Sequence, residues 1–143
     1  MNKRSRRGAA TVEFALVLVM YLMFLLGITD FSRMLYTWNA ATEASRLGAR
    51  YAVVCDDTGN KAAVLARVKQ LMPDVGDIAL GWNPAGCNSS TCEGVTVTIT
   101  QLNFKWISPF IGAAAPSFGL PTFSTYLPRE IMRQDPNSNV ICQ

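Results

Sequence analysis

The N-terminal sequence decides the fold: Met1-Asn-Lys-Arg-Ser-Arg-Arg-Gly8-Ala-Ala-Thr-Val-Glu13, followed by an uncharged run from Phe14 to Thr29. A short basic head precedes the apolar run, and no second basic flank follows it immediately. This asymmetry favours an N-terminus that stays in the cytoplasm. As a helix, residues 9–29 would be about 30 Å long, which matches the hydrocarbon core of a bilayer. We therefore predict a transmembrane segment over residues 9–29.

Glu13 is the single carboxylate at the start of this apolar run. An acidic side chain at the edge of a bilayer segment is costly to insert and normally has a partner. The alternative is an acid in a first helical turn, stabilised by the helix dipole by at most about 1 kcal/mol. The apolar segment as a whole has its own plain explanation, which is a signal anchor that stays in the membrane without further processing. Cleavage by signal peptidase is disfavoured because no small-x-small site follows Gly27.

Three sequence blocks in this order resemble a known family: Arg6-Arg-Gly-Ala-Ala-Thr-Val-Glu-Phe-Ala-Leu-Val-Leu18, Leu25-Leu-Gly-Ile-Thr-Asp-Phe-Ser-Arg33 and Ala44-Ser-Arg-Leu-Gly-Ala-Arg-Tyr-Ala52. The first block resembles the processing region of prepilin-like proteins. Together the blocks look like the TadE-type pseudopilins (minor pilin-like proteins) of tight-adherence (Tad/Flp) secretion systems, which are related to type IV pili. The resemblance covers about residues 6 to 54.

The resemblance implies a precursor cut after Gly8 by a prepilin peptidase, so that the leader 1–8 is lost and Ala9 becomes the N-terminus. Glu13 would then neutralise the new Ala9 amine, one helical turn away in the same or a neighbouring subunit. Further implied partners are inner-membrane lipid, other pilin-like subunits and the pilus assembly platform, for assembly of an adhesive pilus. The expected location is the bacterial inner membrane with a periplasmic C-terminal domain, or the cell surface after assembly. The alternative is an uncleaved bitopic inner-membrane protein with a periplasmic scaffold or assembly domain.

The helical pattern continues beyond the membrane segment. Apolar and small residues recur at three- and four-residue spacing as far as Val54, and no proline interrupts residues 9–54. We predict one helix, with residues 30–54 emerging from the bilayer as an amphipathic part. Pairs Asp30–Arg33 and Glu43–Arg46 have the i, i+3 spacing of ion pairs. The small residues of the stretch 40–49 either pack against the chain's own domain or allow helices of different subunits to approach.

Residues 55–143 are predicted to form one small periplasmic or extracellular domain of the α+β class. A turn cluster at 56–60 opens it, and a second helix over 61–72 ends before Pro73. Strand patterns follow over residues 77–82, 94–106 and 122–132, the second with a shift of phase near Gln101. A roughly three-stranded antiparallel sheet behind the long helix gives a pilin-like layout of helix on sheet.

Residues 106–128 carry no charge, so a second membrane span has to be considered. Prolines at 109, 116, 121 and 128 would break such a helix and leave backbone groups unpaired in lipid. We predict a surface loop with an apolar patch at residues 107–111. This patch would be a contact surface or, as we favour, part of a loop folded back over the core.

Four cysteines lie beyond the membrane segment, as expected of a domain in an oxidising compartment: Cys55, Cys87, Cys92 and Cys142. They allow three pairings. We expect peptide mapping to find Cys87 linked to Cys92 across a short loop, and Cys55 linked to Cys142. The rival, a zinc site, is disfavoured because the chain has no histidine and no Cys-x-x-Cys pair.

Composition argues against several functional classes. The chain has no histidine, no glycine-rich phosphate loop and no nucleophile-elbow motif, so we expect no catalytic residues, cofactor or small-molecule substrate. Asp56 and Asp57 lack the spacing of a calcium loop and are better explained as turn residues. Four of the thirteen Lys and Arg residues lie before Gly8, which leaves nine against ten acidic side chains. No basic patch for nucleic acid remains.

Overall fold

A computed structural model describes residues 3–55, 59–88, 90–114, 117–129 and 142. The chain divides into two compact units. We call residues 1–35 and 105–117 the anchor unit, and residues 36–104 and 118–143 the sheet unit. The elements in chain order are α1 Lys3–Val54, α2 Lys61–Leu71, β1 Ile78–Asn83, β2 Gly94–Ile99, β3 Asn103–Phe104, α3 Pro109–Ala114, β4 Phe118–Gly119 and β5 Phe123–Pro128.

Helix α1 confirms the long helix that the sequence pattern predicts, and it ends at Val54 as expected. It has 52 residues because it also includes the basic head from Lys3 onwards. Its N-terminal part belongs to the anchor unit together with α3, and its C-terminal part belongs to the sheet unit.

The sheet unit contains a three-stranded antiparallel sheet in the order β1-β2-β5, which confirms the α+β class. In the central strand, Val97 lies opposite Leu80 of β1 and opposite Thr125 of β5. Every second residue of the strands points into the core, as the pleat of a half-buried sheet requires. On β2 these core residues are Val95, Val97 and Ile99, each at most 1% exposed.

The strand pattern over residues 94–106 corresponds to two strands and not to one. Strand β2 ends at Ile99, and β3 pairs with β4 in a separate two-stranded sheet. The Gln101 carbonyl between them accepts a hydrogen bond from Gly76 N–H, so the chain leaves the β2 ladder where the pattern shifts phase. The surface loop that the sequence analysis predicts within the uncharged stretch 106–128 includes α3 and β4. The third strand ends at Pro128, and residues 130–132 of that prediction lie outside the described residues.

Helices α1 and α2 cover one face of the sheet, and small residues of α1 allow the close approach. These are buried in the core of the sheet unit: Ala41, Ala44, Ser45, Gly48, Ala49 and Ala52. A Cβ atom on Gly48 would lie 2.8 Å from Val68 Cγ2 of α2 and 3.4 Å from Val97 Cγ1 of β2. The small residues of this stretch that are buried therefore pack against the chain's own domain.

One polar contact and one aromatic contact fix α1 against β5. The Ser45 hydroxyl donates to the Thr42 carbonyl oxygen at 2.8 Å and lies 2.7 Å from the Thr125 hydroxyl oxygen. A buried hydroxyl with both partners avoids the cost of an unsatisfied polar group. The rings of Trp38 and Phe123 meet edge to face, with centroids 4.9 Å apart.

Two disulfides are present in the sheet unit, with the pairing that the sequence analysis expects. Cys55 at the end of α1 is joined to Cys142, 87 residues away in the sequence, and Cys87 is joined to Cys92. The longer link removes more chain entropy from the unfolded state and is expected to stabilise the fold by roughly 4 kcal/mol, against about 2 for the short one.

We predict that Gly48→Ala destabilises the sheet unit by about 1 kcal/mol. Alanine favours a helix by about 1 kcal/mol over glycine, but the added methyl group overpacks a core site, at a cost of about 1–3 kcal/mol. Denaturant unfolding of the full chain measures the difference. Gly81→Ala is the control, because its Cβ would meet Thr96 Cβ at an ordinary 3.9 Å. A Gly48→Ala protein more stable than the parent would contradict close packing of α1 on α2.

Candidate functional site

The residues expected to take part in processing lie in the first turns of α1. Gly8, Ala9 and Glu13 are all exposed, and the Thr11 hydroxyl donates to the Gly8 carbonyl oxygen at 2.8 Å. A Cβ atom on Gly8 would meet nothing within 4 Å. Glycine is the poorest helix former after proline, by about 1 kcal/mol against alanine. Neither packing nor helix stability within this chain therefore requires a glycine at position 8.

The apolar run of α1 is exposed along its length. Within the described residues, one helix is long and apolar enough to cross a membrane, and its most apolar 18-residue window has a mean hydropathy of 2.3 with no buried residue. The core helix of a water-soluble protein would be largely covered by its own domain. The exposed large apolar side chains of α1 run from Val12 to Ile28 and continue at Phe31, Leu35, Tyr36 and Trp38. These properties indicate a membrane protein, because water is a poor solvent for such a surface.

Asp30, the first charged residue after the apolar run, is completely buried. The backbone N–H of Ile107 donates to its Oδ1 at 2.9 Å, and the N–H of Ser108 donates to its Oδ2 at 2.8 Å. Arg33 Nη1 lies 3.4 Å from Oδ1 and also donates to the Lys105 carbonyl oxygen at 3.3 Å. Asp30 and Arg33 thus hold the backbone of residues 105–108, which precedes α3, against α1 within the anchor unit.

These contacts lower the pKa of the Asp30 carboxyl below its ordinary value of 3.8. The largest cause is the hydrogen bond from the Ile107 N–H, which stabilises the ionised form. Burial raises the pKa in opposition, while the Ser108 N–H and the charge of Arg33 lower it further. Asp30 is therefore ionised at neutral pH, and a buried carboxylate with this set of donors is a strong hydrogen-bond acceptor.

The sequence predicts part of this arrangement. The Asp30–Arg33 pair has the expected i, i+3 spacing and is present. The two backbone donors of Asp30 could not be found from spacing, because they lie more than seventy residues away in the chain. A possible signal was the position of Asp30 itself, since an acid directly after an uncharged run normally has a partner.

Within the patch at residues 107–111, the described side chains of Ile107, Pro109 and Ile111 are exposed, contrary to the interpretation that the sequence analysis favours. Ile107 is 57% exposed and Ile111 is 37% exposed, whereas Ser108 between them is buried. The backbone bonds to Asp30 explain the difference. They orient residue 108 towards α1, so that the neighbouring side chains point outwards.

Nothing in the described residues forms a metal centre: no group of three or more Cys, Asp, Glu or His side chains comes together there. Asp56 and Asp57, weighed above as a metal site, lie outside the described residues. The chemistry that the anchor unit offers is that of contact surfaces, with one buried carboxylate that holds a segment in place.

Residues 8–50 match the model of the family described as TadE-like protein. The match begins at Gly8 and includes Glu13 and Asp30. Over this part of the chain it confirms the resemblance that the three sequence blocks carry. Comparison with curated proteins and with solved structures yields no match.

We predict that Asp30→Asn releases the segment that begins at Ile107. The two N–H groups bind different carboxylate oxygens, and asparagine replaces one of these oxygens with an NH₂ donor, so one of the two bonds is lost in this geometry. Amide hydrogen exchange of peptide 106–113 should become about ten-fold faster at neutral pH. Asp77→Asn is the control, because Asp77 is half-exposed and pairs with Lys61 in the sheet unit. Unchanged exchange in Asp30→Asn would contradict the role of the carboxylate.

The pH dependence of the same attachment follows from the lowered pKa. Since the folded-state pKa of Asp30 lies below 3.8, its stabilisation is fully present above that value and is lost as the pH falls through the lowered pKa. Peptide 106–113 should remain protected at pH 5, when exchange is corrected for its intrinsic pH dependence. Loss of protection between pH 7 and 5 would show that another group controls the segment.

Proposed function

We propose that this protein is a TadE-like pseudopilin, or minor pilin subunit, that is cut after Gly8 by a prepilin peptidase and takes part in assembly of a tight-adherence (Flp-type) pilus for surface adhesion. The proposal rests on four features that occur together at the start of α1: basic residues, a glycine, a carboxylate and an apolar helix. A glycine without a packing role stands after four basic residues, five positions before a lone carboxylate, on an exposed apolar helix.

Gly8 supports processing because the fold does not require a glycine at this position, whereas binding by a peptidase would favour one. A peptidase binds its substrate as an extended backbone and approaches it closely at the scissile bond. Glycine has no side chain to obstruct this approach, and its low helix propensity eases local unwinding of the basic head. The segment that would unwind, residues 3–8, is the leader that cleavage removes.

Glu13 supports assembly through charge pairing. Cleavage would create a protonated amine at Ala9, and Glu13 lies four residues further on the same helix. An uncompensated charge next to hydrocarbon is expensive, so amine and carboxylate favour each other within a subunit or between neighbouring subunits. Pairing between subunits would set their relative height along the filament axis.

The basic head supports the proposed orientation, with residues 1–8 in the cytoplasm and the sheet unit in the periplasm. The two disulfides support the same topology, because such bonds persist in oxidising compartments and are rare in the cytosol. Other pilin-like subunits, the peptidase and the assembly platform are the partners that this topology would bring within reach.

The alternative function is that of an uncleaved bitopic inner-membrane protein with a periplasmic scaffold or assembly domain. One observation favours it: α1 begins at Lys3 and includes Gly8 without a break in the helix. The two functions differ in the mass of the mature chain, because processing alone produces a protein that starts at Ala9.

We predict that Gly8→Val blocks processing while leaving membrane insertion intact. The parent protein, extracted from membranes, should have the intact mass of residues 9–143 with both disulfides, and Gly8→Val should keep residues 1–8. Gly27→Val is the matched control on the same helix, because a Cβ there also meets nothing within 4 Å. It should be cut like the parent. A parent protein that retains its first eight residues would instead establish the alternative.

We predict that Glu13→Gln is inserted and cut normally but is incorporated poorly into the pilus apparatus. The substitution leaves the Ala9 amine without its carboxylate, whereas glutamine is well tolerated in a helix. Crosslinking to other pilin-like subunits, at matched protein levels, should fall by about ten-fold if a paired charge of this kind is lost. The control is Glu43→Gln, which removes an exposed acid paired with Arg46 on the same helix. Equal crosslinking in parent and Glu13→Gln would reduce Glu13 to a local helix residue.

A further inference from the structure

We infer that the segment 106–113 is a second membrane contact, which lies in the interface between lipid headgroups and acyl chains on the side where α1 leaves the bilayer. The inference rests on the membrane-spanning part of the proposed function, and it requires neither cleavage at Gly8 nor assembly into a pilus. It assigns a role to the exposed apolar patch and to the buried Asp30, which the proposed function leaves without one.

The bonds to Asp30 determine how far Ile107 lies from the end of the membrane segment. Residues 14–29 carry no charge, and Asp30 directly follows them, so its Cα lies where the helix leaves the hydrocarbon core. The backbone amides of Ile107 and Ser108 are within 3 Å of the Asp30 carboxylate oxygens. Ile107 is therefore held at the same depth as the end of the membrane segment.

Chemistry is the second argument. The exposed side chains of the segment are apolar: Ile107, Pro109, Ile111 and Ala113. Trp106 is half-buried beside them, and tryptophan is enriched at membrane interfaces. Lys105 is exposed immediately before the segment, and the Arg33 side chain, which donates to the Lys105 carbonyl oxygen, is 47% exposed. Apolar residues flanked by cations match a boundary that has acyl chains on one side and phosphates on the other.

The polar backbone of the segment is compatible with this depth. A backbone N–H group that enters lipid without an acceptor is costly, so the amides on the way into α3 need partners. Here the Asp30 carboxylate accepts the two N–H groups that precede α3, and the Gly112 N–H bonds the Ser108 carbonyl oxygen at 2.9 Å. The carboxylate therefore removes the cost of these two N–H groups in a low-dielectric surrounding.

Contact of this segment with the bilayer would orient α1 about its own axis. A single apolar helix can rotate about its own axis in a bilayer at little cost, because lipid surrounds it evenly. A lateral apolar contact at the bilayer surface favours one rotation, the one that turns the α3 side towards lipid. The segment would therefore fix which face of α1 is directed to a neighbouring helix. Asp30 acts here as a positioning residue, since it holds the segment and does not itself contact lipid.

Photo-crosslinking tests the inference on the full-length protein in nanodiscs of phosphatidylethanolamine and phosphatidylglycerol. The photoreactive residue p-benzoylphenylalanine replaces Ile107 or Ile111 in turn. Phe24, which is 66% exposed within the apolar run, is the reference for lipid contact. Tyr126, which is 51% exposed on the sheet, is the reference for a side chain in water. Intact mass detects a lipid adduct after irradiation.

We expect lipid adducts at positions 107 and 111 in yields comparable to position 24, and about ten-fold above position 126, because interfacial apolar side chains reside among the acyl chains. In the background of Asp30→Asn, the adduct at 107 should fall while that at 24 stays unchanged. Adducts at 24 without adducts at 107 and 111 would overturn the inference and leave the membrane span standing. Failure at 24 as well would overturn the span itself. Irradiation in cells that yields a protein adduct at 107 in place of lipid would assign the patch to a protein partner and overturn the inference.

Discussion

Removal of the apolar face of α1 from water is the constraint on which the rest of the structure depends. The most apolar stretch of this helix has no buried residue, so the described part of the chain does not cover it. Covering such a surface with lipid is worth about 25 cal/mol for each square ångström. Over a helix of this length that term is large compared with the about 1–3 kcal/mol of a typical single contact.

Helix α1 has large exposed side chains in its N-terminal part and small buried ones in its C-terminal part. Large apolar residues are exposed along its N-terminal part, from Val12 to Trp38. From Ala41 onwards, small residues allow close approach to α2 and to the sheet, and at Gly48 there is little space for a side chain. Asp30 stands between the two parts, and its carboxylate holds the α3 segment by backbone hydrogen bonds.

The sequence predicts features that depend on local periodicity and fails where distant residues meet. The end of α1 at Val54, the helix over residues 61–71 and the α+β class follow from hydrophobic spacing and from Pro73. The split of the strand at 94–106 appeared as a phase shift at Gln101, but its cause, a bond from Gly76, lies 25 residues away. The burial of Asp30 and the exposure of Ile107 have the same origin. Both depend on amides 77 and 78 positions away, which no spacing rule connects to residue 30.

The most direct test of this account is protease accessibility in intact spheroplasts, with one epitope at the N-terminus of a Gly8→Val chain and another at the C-terminus. With α1 across the inner membrane, external protease should remove the C-terminal epitope. It should leave a membrane-embedded fragment that carries the N-terminal epitope and resists extraction by alkaline carbonate. Release of the whole chain by carbonate, or loss of the N-terminal epitope in intact spheroplasts, would contradict the membrane-spanning helix and its orientation.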